Sequence, residues 1–367
     1  MPRRFSETGI DGVHTQPVRA FLVLLLVAIL GCGSNDDVDS SVNPTAAVTI
    51  ERPVLFPDPE VVTPTVELSQ PTMVATTGPG VSPFTVSLDL CSDDDGPDCT
   101  ALRLGDAYLT TEGPARGFLY SCSGPNPDAP GARESEITWI DFAKSTWNFL
   151  QKSWLPSGTF DPEPGVYSET IVGKERRITL NNLPVDGMIG DWPMTQYPTL
   201  THIDGNPEIP DAVMSSFVYE INPVVAASPS CLSLGAIGVT TNGVVLYNAA
   251  DARGEDAVAR EIVDFFGGHP AMSTYHYHFI PPRLDTESLD GGHSGIVGYI
   301  SDGFPIYGYR GENGREMSND ELDECHGHDH GLLGYHYHAT IEYPYTVGCY
   351  KGTSVEVPRQ SKPPRRP

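Results

Sequence analysis

Between residues 84 and 232, short apolar runs (FTVSLDL, GFLYSC, RRITLNNL, SSFVYEI) alternate with turns rich in Gly, Pro and Asp. That is the rhythm of short strands rather than the three-to-four-residue recurrence of amphipathic helices. One segment, 139–150 (WIDFAKSTWNFL), has a helical pattern, and a second short helix is expected over 256–266. From Gly235 onward the pattern repeats. Gly235 to Tyr247 (GAIGVTTNGVVLY) lines up with Gly295 to Tyr307 (GIVGYISDGFPIY) at a 60-residue offset. Both blocks predict hairpins, in which Asn242-Gly243 and Asp302-Gly303 supply the two positive-φ residues of a type I′ turn.

Two further blocks follow in the same order. Glu261 to His269 lines up with Asp320 to His328, and Tyr275-His276-Tyr277-His278 with Tyr335-His336-Tyr337-His338. Three blocks in register predict a duplicated unit. The fold expected is mainly β, a β-rich domain with an internally duplicated hairpin-containing unit and short helices. Along the chain, a signal peptide (1–31) and a disordered stalk (32–83) precede a β-rich part (84–232). The duplicated region (233–352, repeats about 235–278 and 295–338) and a disordered tail (353–367) follow. The stalk and tail rest on composition, since Pro, Ser, Thr and Asp with few aromatics cannot bury enough apolar surface to offset chain entropy.

Composition narrows the partners. With 48 Asp and Glu against 22 Lys and Arg, a formal charge of −26, the chain offers nucleic acid no general basic footprint. Residues 20–30 (AFLVLLLVAIL) are too few to span a bilayer. Following Arg3, Arg4 and Arg19, they resemble a bacterial lipoprotein signal with Ile29-Leu30-Gly31-Cys32 as lipobox. That resemblance implies lipidation at Cys32, membrane attachment only through the N-terminal lipid, and an outer-membrane or cell-surface lipoprotein of the cell envelope. The remaining six cysteines suit an oxidising compartment and three disulfides. Spacing leaves the connectivity open; the pairs expected are Cys91 with Cys99, Cys122 with Cys231, and Cys325 with Cys349.

Nine of the 11 histidines lie between His269 and His338. On a strand, His276 and His278 share a face roughly 6.6 Å apart, with Tyr275 and Tyr277 opposite, and the same holds for His336 and His338. Each pair is a bidentate clamp, and a pseudo-twofold could bring the two clamps together. His269 and His328 are the next candidate ligands. Asp264 and Asp323 are expected to ligate or to hold an imidazole by its second nitrogen; Glu261, three residues before Asp264 on the same face of the expected helix, supports the ligands from outside with Tyr275 and Tyr335. Nitrogen-rich ligation suits copper or zinc. Imidazoles bind only when neutral, so affinity should fall steeply from about pH 7 to about pH 5. His326 and His330 lack counterparts and read as a solvated acidic loop, with a peripheral metal-loading role as the alternative; His293 is equally unmatched, and His202 is a surface or core histidine.

The rival reading makes the Tyr/His layer structural, in a surface interaction or adhesion module whose acidic face binds calcium or a basic partner. The loop Asp93-Asp94-Asp95 is acidic but lacks the ligand spacing of an EF-hand. No Gly-x-Ser-x-Gly, phosphate loop or His-Glu-x-x-His is present, so those enzyme classes receive no support, while a metal site with an open position would suit metal-activated water with Asp264 or Asp323 as base, or copper redox chemistry.

These residues together resemble the YHYH family of bacterial exported proteins. The resemblance runs from Arg177 to Lys351. It rests on Asn182-Leu-Pro184, Asn206-Pro207-Glu-Ile209, Gly268-His269-Pro270, Asp302 to Gly308, Leu322 to Cys325 and the two Tyr-His-Tyr-His segments. It departs from the family at Phe266, where a Cys is common, and at Val185-Asp186, where a His is common. It implies no reaction.

Overall fold

The computed structural model describes residues 90–91, 96–353, 355 and 359–360. The signal, Cys32, the stalk and the Asp93-Asp94-Asp95 loop lie outside the described residues. What is described is mainly β, with α-helix at Pro198–Ile203 and Ala257–Arg260.

The duplicated region forms one eight-stranded sheet. The first copy supplies β1 (Ala236–Thr240), β2 (Val245–Tyr247), β3 (Gly268–Ala271) and β4 (Thr274–Tyr277). The second supplies β5 (Ile296–Ile300), β6 (Pro305–Tyr307), β7 (Gly327–His330) and β8 (Gly334–His338). Their spatial order is β3-β4-β2-β1-β5-β6-β8-β7, the same from either edge once the copies are exchanged. At the centre β1 and β5 run antiparallel with Val239 opposite Tyr299, its repeat equivalent, flanked by Gly238 opposite Ile300 and Thr240 opposite Gly298. A register that maps onto itself in this way places an approximate two-fold axis at the Val239/Tyr299 pair. The glycines beside it are needed for the approach: a Cβ on Gly238 would lie 2.6 Å from the Tyr299 carbonyl oxygen, and one on Gly298 2.4 Å from that of Val239.

Each copy then repeats its own pairing. β2 and β4 are parallel, as are β6 and β8, while β3 and β4, and β7 and β8, are antiparallel. The hairpin turns differ from expectation. Among the described residues Gly243 and Gly303 are at positive φ, whereas Asn242 and Asp302 are not. The Gly243 N–H donates to Thr240 O and the Thr240 N–H to Val244 O, and Gly303, Ile300 and Phe304 repeat this. That is a three-residue loop with a glycine bulge rather than a type I′ turn.

The sheet separates two apolar layers. Ile237, Leu246, Tyr275, Tyr277, Ile300, Ile306 and Tyr337 face a large core shared with Trp139, Trp147, Phe149 and Trp154 of the preceding part. On the other face Val239, Val245 and Tyr299 pack against Ile178, Leu180, Phe217 and Tyr219. The last four belong to a four-stranded antiparallel sheet of Tyr167–Val172, Glu175–Leu180, Ser215–Glu220 and Arg359–Gln360. The last strand pairs Arg359 and Gln360, within the expected tail, with Ser216 and Ser215, a main-chain pairing that does not depend on apolar side chains.

Two helix expectations fail. Over 139–150 the chain folds as an antiparallel pair, Ile140–Asp141 with Thr146–Trp147. Trp147 and Phe149 are buried at strand spacing, which overrides the helical pattern. Over 256–266 only Ala257–Arg260 is helical, so Glu261 is its C-cap and Asp264 lies beyond it; the two do not share a helix face. All three expected disulfides are formed.

Candidate metal centres

The histidines lie on the face that carries Val239 and Val245, but on the outer strands. In the first copy, the β2–β4 register sets His276 beside Val245, and the β3–β4 register sets His269 opposite His276. His276, His278 and His269 are 2, 4 and 4 % exposed. The Nε2 atoms of His276 and His278 are 3.0 Å apart, and those of His278 and His269 3.1 Å. Glu261 closes the group, its Oε2 3.5 Å from His269 Nε2 and 3.9 Å from His278 Nε2. The Tyr247 ring stacks on His276 at 4.0 Å.

The second nitrogens decide what this contact means. His276 Nδ1 meets the Thr274 carbonyl and His278 Nδ1 the Asn248 carbonyl. A carbonyl oxygen only accepts, so both Nδ1 atoms carry the proton and both Nε2 atoms present lone pairs. Two lone pairs 3.0 Å apart repel unless a cation lies between them. Ligands 2.0–2.1 Å from one ion stand roughly 2.9 Å apart at a right angle and roughly 3.4 Å apart in a tetrahedron, which brackets the observed spacing. Donating the outer N–H to a fixed acceptor is how metal-bound imidazoles are held.

The second copy repeats the anchoring of Nδ1, but its short Nε2 contact joins His328 to His336, and His338, an expected ligand, falls outside the group of ring nitrogens that lie within 4.8 Å of one another. His336 Nδ1 donates to Gly334 O at 2.8 Å and His338 Nδ1 to Gly308 O at 2.7 Å. These acceptors are the repeat equivalents of Thr274 and Asn248. His328 stands opposite His336, their Nε2 atoms 3.0 Å apart. His293 and His330, which the repeat left without a role, belong here, since one ring nitrogen from each of His293, His328, His330 and His336 falls within 4.8 Å of the others. His293 donates from Nδ1 to Ser294 O at 2.8 Å. Its Nε2, like that of His338, is buried with no hydrogen-bond partner. Against expectation, His326 is no solvated loop residue: it is buried and its Nε2 meets Thr340 Oγ1.

Burial holds these rings below the ordinary imidazole value, since a charged ring would lose its hydration. His269, His276 and His338 lie well below it, His278 falls to about 4 and His336 to about 3. The pH window expected from free imidazoles therefore moves down. Glu261 is raised well above the carboxylate range by burial and by Asp204 and Asp251, opposed by Lys152.

Two expectations are corrected. Asp264 and Asp323 hold no imidazole. Asp264 accepts from the Tyr275 hydroxyl at 2.8 and 2.9 Å, from Trp192 Nε1, and from the N–H groups of Gly190, Phe266 and Gly268. Asp323 accepts from the Tyr335 hydroxyl and the Cys325 and Gly327 N–H groups, and pairs with Lys351. Strand alternation puts Tyr275 and Tyr335 on the face away from the histidines, so both carboxylates brace the turns leading into β3 and β7. The two clamps are also not brought together. Five strand steps separate β4 from β8, on the order of 24 Å along the sheet, so there are two nests rather than one.

Fold and site define a mainly β protein whose internally duplicated sheet carries two buried histidine nests. The YHYH protein family matches residues 216–319, a little over a quarter of the chain, which supports a YHYH domain there. The match spans the whole first nest and His293 but stops short of β7 and β8, inside the range over which the sequence resembles the family. No curated protein and no solved structure matches the chain.

Proposed function

We propose that this is an extracytoplasmic metal-binding protein, held at the membrane through Cys32, that carries copper or zinc in its histidine nests. The observation behind this reading is the pair of Nε2 lone pairs of His276 and His278 at 3.0 Å, each fixed by an N–H donated to a carbonyl. The same carbonyl positions are reused in the second copy. Three disulfides fit an oxidising compartment, where thiolates are tied up and imidazole becomes the borderline-soft ligand available. The rival reading called for His rings fully hydrogen-bonded to Tyr hydroxyls and backbone, and only the backbone half is met, at the Nδ1 atoms. Here Tyr275, Tyr335 and Tyr337 give their hydroxyls to Asp264, Asp323 and Asp302 instead. The test is metal content after loading with Cu(II) or Zn(II), in the wild type and in the pairs His276→Ala/His278→Ala and His336→Ala/His338→Ala. Bound metal should be present in the wild type and reduced in each pair; no metal in the wild type removes the reading.

A further inference from the structure

We propose that the two nests are not equivalent: the second, completed by His293, is an all-imidazole site that loads and releases a divalent ion from solvent, while the first retains its ion within the fold. The inference rests on the metal-binding reading above and assigns the two centres different work.

The donor sets have diverged. In the first nest the fourth group is the Glu261 carboxylate, 3.5 Å from His269 Nε2, and its own carbonyl accepts from the buried Lys152 ammonium at 2.6 Å. In the second, His293 and His330 join instead. The repeat equivalent of His293 is Ser233, whose carbonyl accepts from Asn248 Nδ2 and whose side chain is no imidazole. His293 is 2 % exposed, fixes its Nδ1–H on Ser294 O and aims an unpartnered Nε2 inward. A histidine so placed, on a position the duplication did not supply, is a ligand gained by one copy only.

Access has diverged as well. The side chains of His269 and His278 are 5 and 4 % exposed and that of Glu261 17 %, so an ion there would reach solvent only past the Glu261 carboxyl. At the second nest His336 and His338 form a buried floor, but His328 and His330 stand half-buried at the rim. His330 Nε2 reaches outward to the exposed Glu312 carboxylate at 2.9 Å, which leaves its Nδ1 as the inward nitrogen. A carboxylate that draws a rim ligand outward gives incoming and leaving ions a route. Retention calls for a closed ligand set, and exchange for one ligand that can swing away.

The test is zinc release. The full chain is loaded with Zn(II), freed of excess, and mixed with a chromogenic chelator. Wild type should release its zinc in a fast and a slow phase of equal amplitude. His293→Ala should keep the slow phase alone, and His276→Ala/His278→Ala the fast phase alone. His330→Ala, altered at the half-exposed rim where folding is not at stake, should speed the fast phase by roughly tenfold or more and leave the slow one. A single phase in wild type, both phases surviving in His293→Ala, or a His330→Ala effect confined to the slow phase overturns the assignment. A wild type that takes up no zinc and no copper defeats the metal-binding reading instead.

Discussion

Thr274 and Gly334 each present a carbonyl to the ring two residues later, and Asn248 and Gly308 each present one to the last histidine of its clamp. Main-chain acceptors at repeat-equivalent positions set the tautomer in both copies, so the lone-pair geometry is a property of the backbone and survived duplication. The carboxylates do a different task. Asp264 collects five donors beneath the sheet and touches no imidazole. In Asp264→Asn, whichever way the amide turned, its NH2 would face two N–H groups that can only donate, and the Tyr275 hydroxyl alone could turn to accept. Unfolding free energy from urea titration should then drop by about 3 kcal/mol. Zinc affinity of the folded protein should be unchanged, since the imidazoles are fixed elsewhere. Lost affinity at intact stability would mean that Asp264 holds a ligand after all.

At the scale of elements, the short helix Ala257–Arg260 is capped by Asp256, which accepts from the Ala259 N–H, the Gly105 N–H and the Tyr345 hydroxyl while fully buried. Burial raises its pKa to about 7. The folded state then holds this proton more tightly than the unfolded chain, whose carboxyl titrates near 3.9. Its contribution to stability is complete below about pH 4 and is lost as pH rises through about 7. Asp256→Asn keeps a good cap but no proton, so stability plotted from pH 4 to 7.5 should fall less steeply in the variant than in wild type. At the seam of the duplication, Gly298→Ala would force a Cβ to 2.4 Å from the Val239 oxygen and should cost about 3 kcal/mol in chemical denaturation, whereas Gly113→Ala, with nothing within 4 Å, should stay within about 0.5. The strands, the duplication and the His-x-His clamps were legible because each is a local period or a direct self-match. The turn type was not, since Asn-Gly also suits a bulged three-residue loop. Nor was the fate of 139–150, where Trp147 and Phe149 answer to a core contributed by distant residues. His293 and His330 were not placed among the ligands because they lack repeat partners; the clue available was the run of histidines itself, which includes His293 after the first clamp and His330 before the second.

Over the whole molecule the two-fold sheet keeps its chemical groups apart. The strands that pair across the axis are β1 and β5, and their near face is covered by the sheet bearing Ile178 and Phe217, so the nest imidazoles lie on the outer strands of each copy and the loops beside them. Separation on the order of 24 Å exceeds the roughly 7–10 Å beyond which perturbations usually add. Each nest should therefore stabilise the fold on its own account. With free Zn(II) at about one hundred times a site's dissociation constant, mass action contributes about 2.7 kcal/mol per site, or about 5 kcal/mol for two. Denaturant titrations with and without Zn(II) should show that increment halved in His276→Ala/His278→Ala, halved in His336→Ala/His338→Ala, and absent when all four changes are combined, with the two losses summing to within about 0.5 kcal/mol. Because burial keeps His278 near 4 and His336 near 3, protons compete poorly in mild acid, and the pattern should persist at pH 6. If either pair alone abolished the whole increment, the nests would have to be one cooperative centre, and the separation along the sheet could not describe the metal-bound protein.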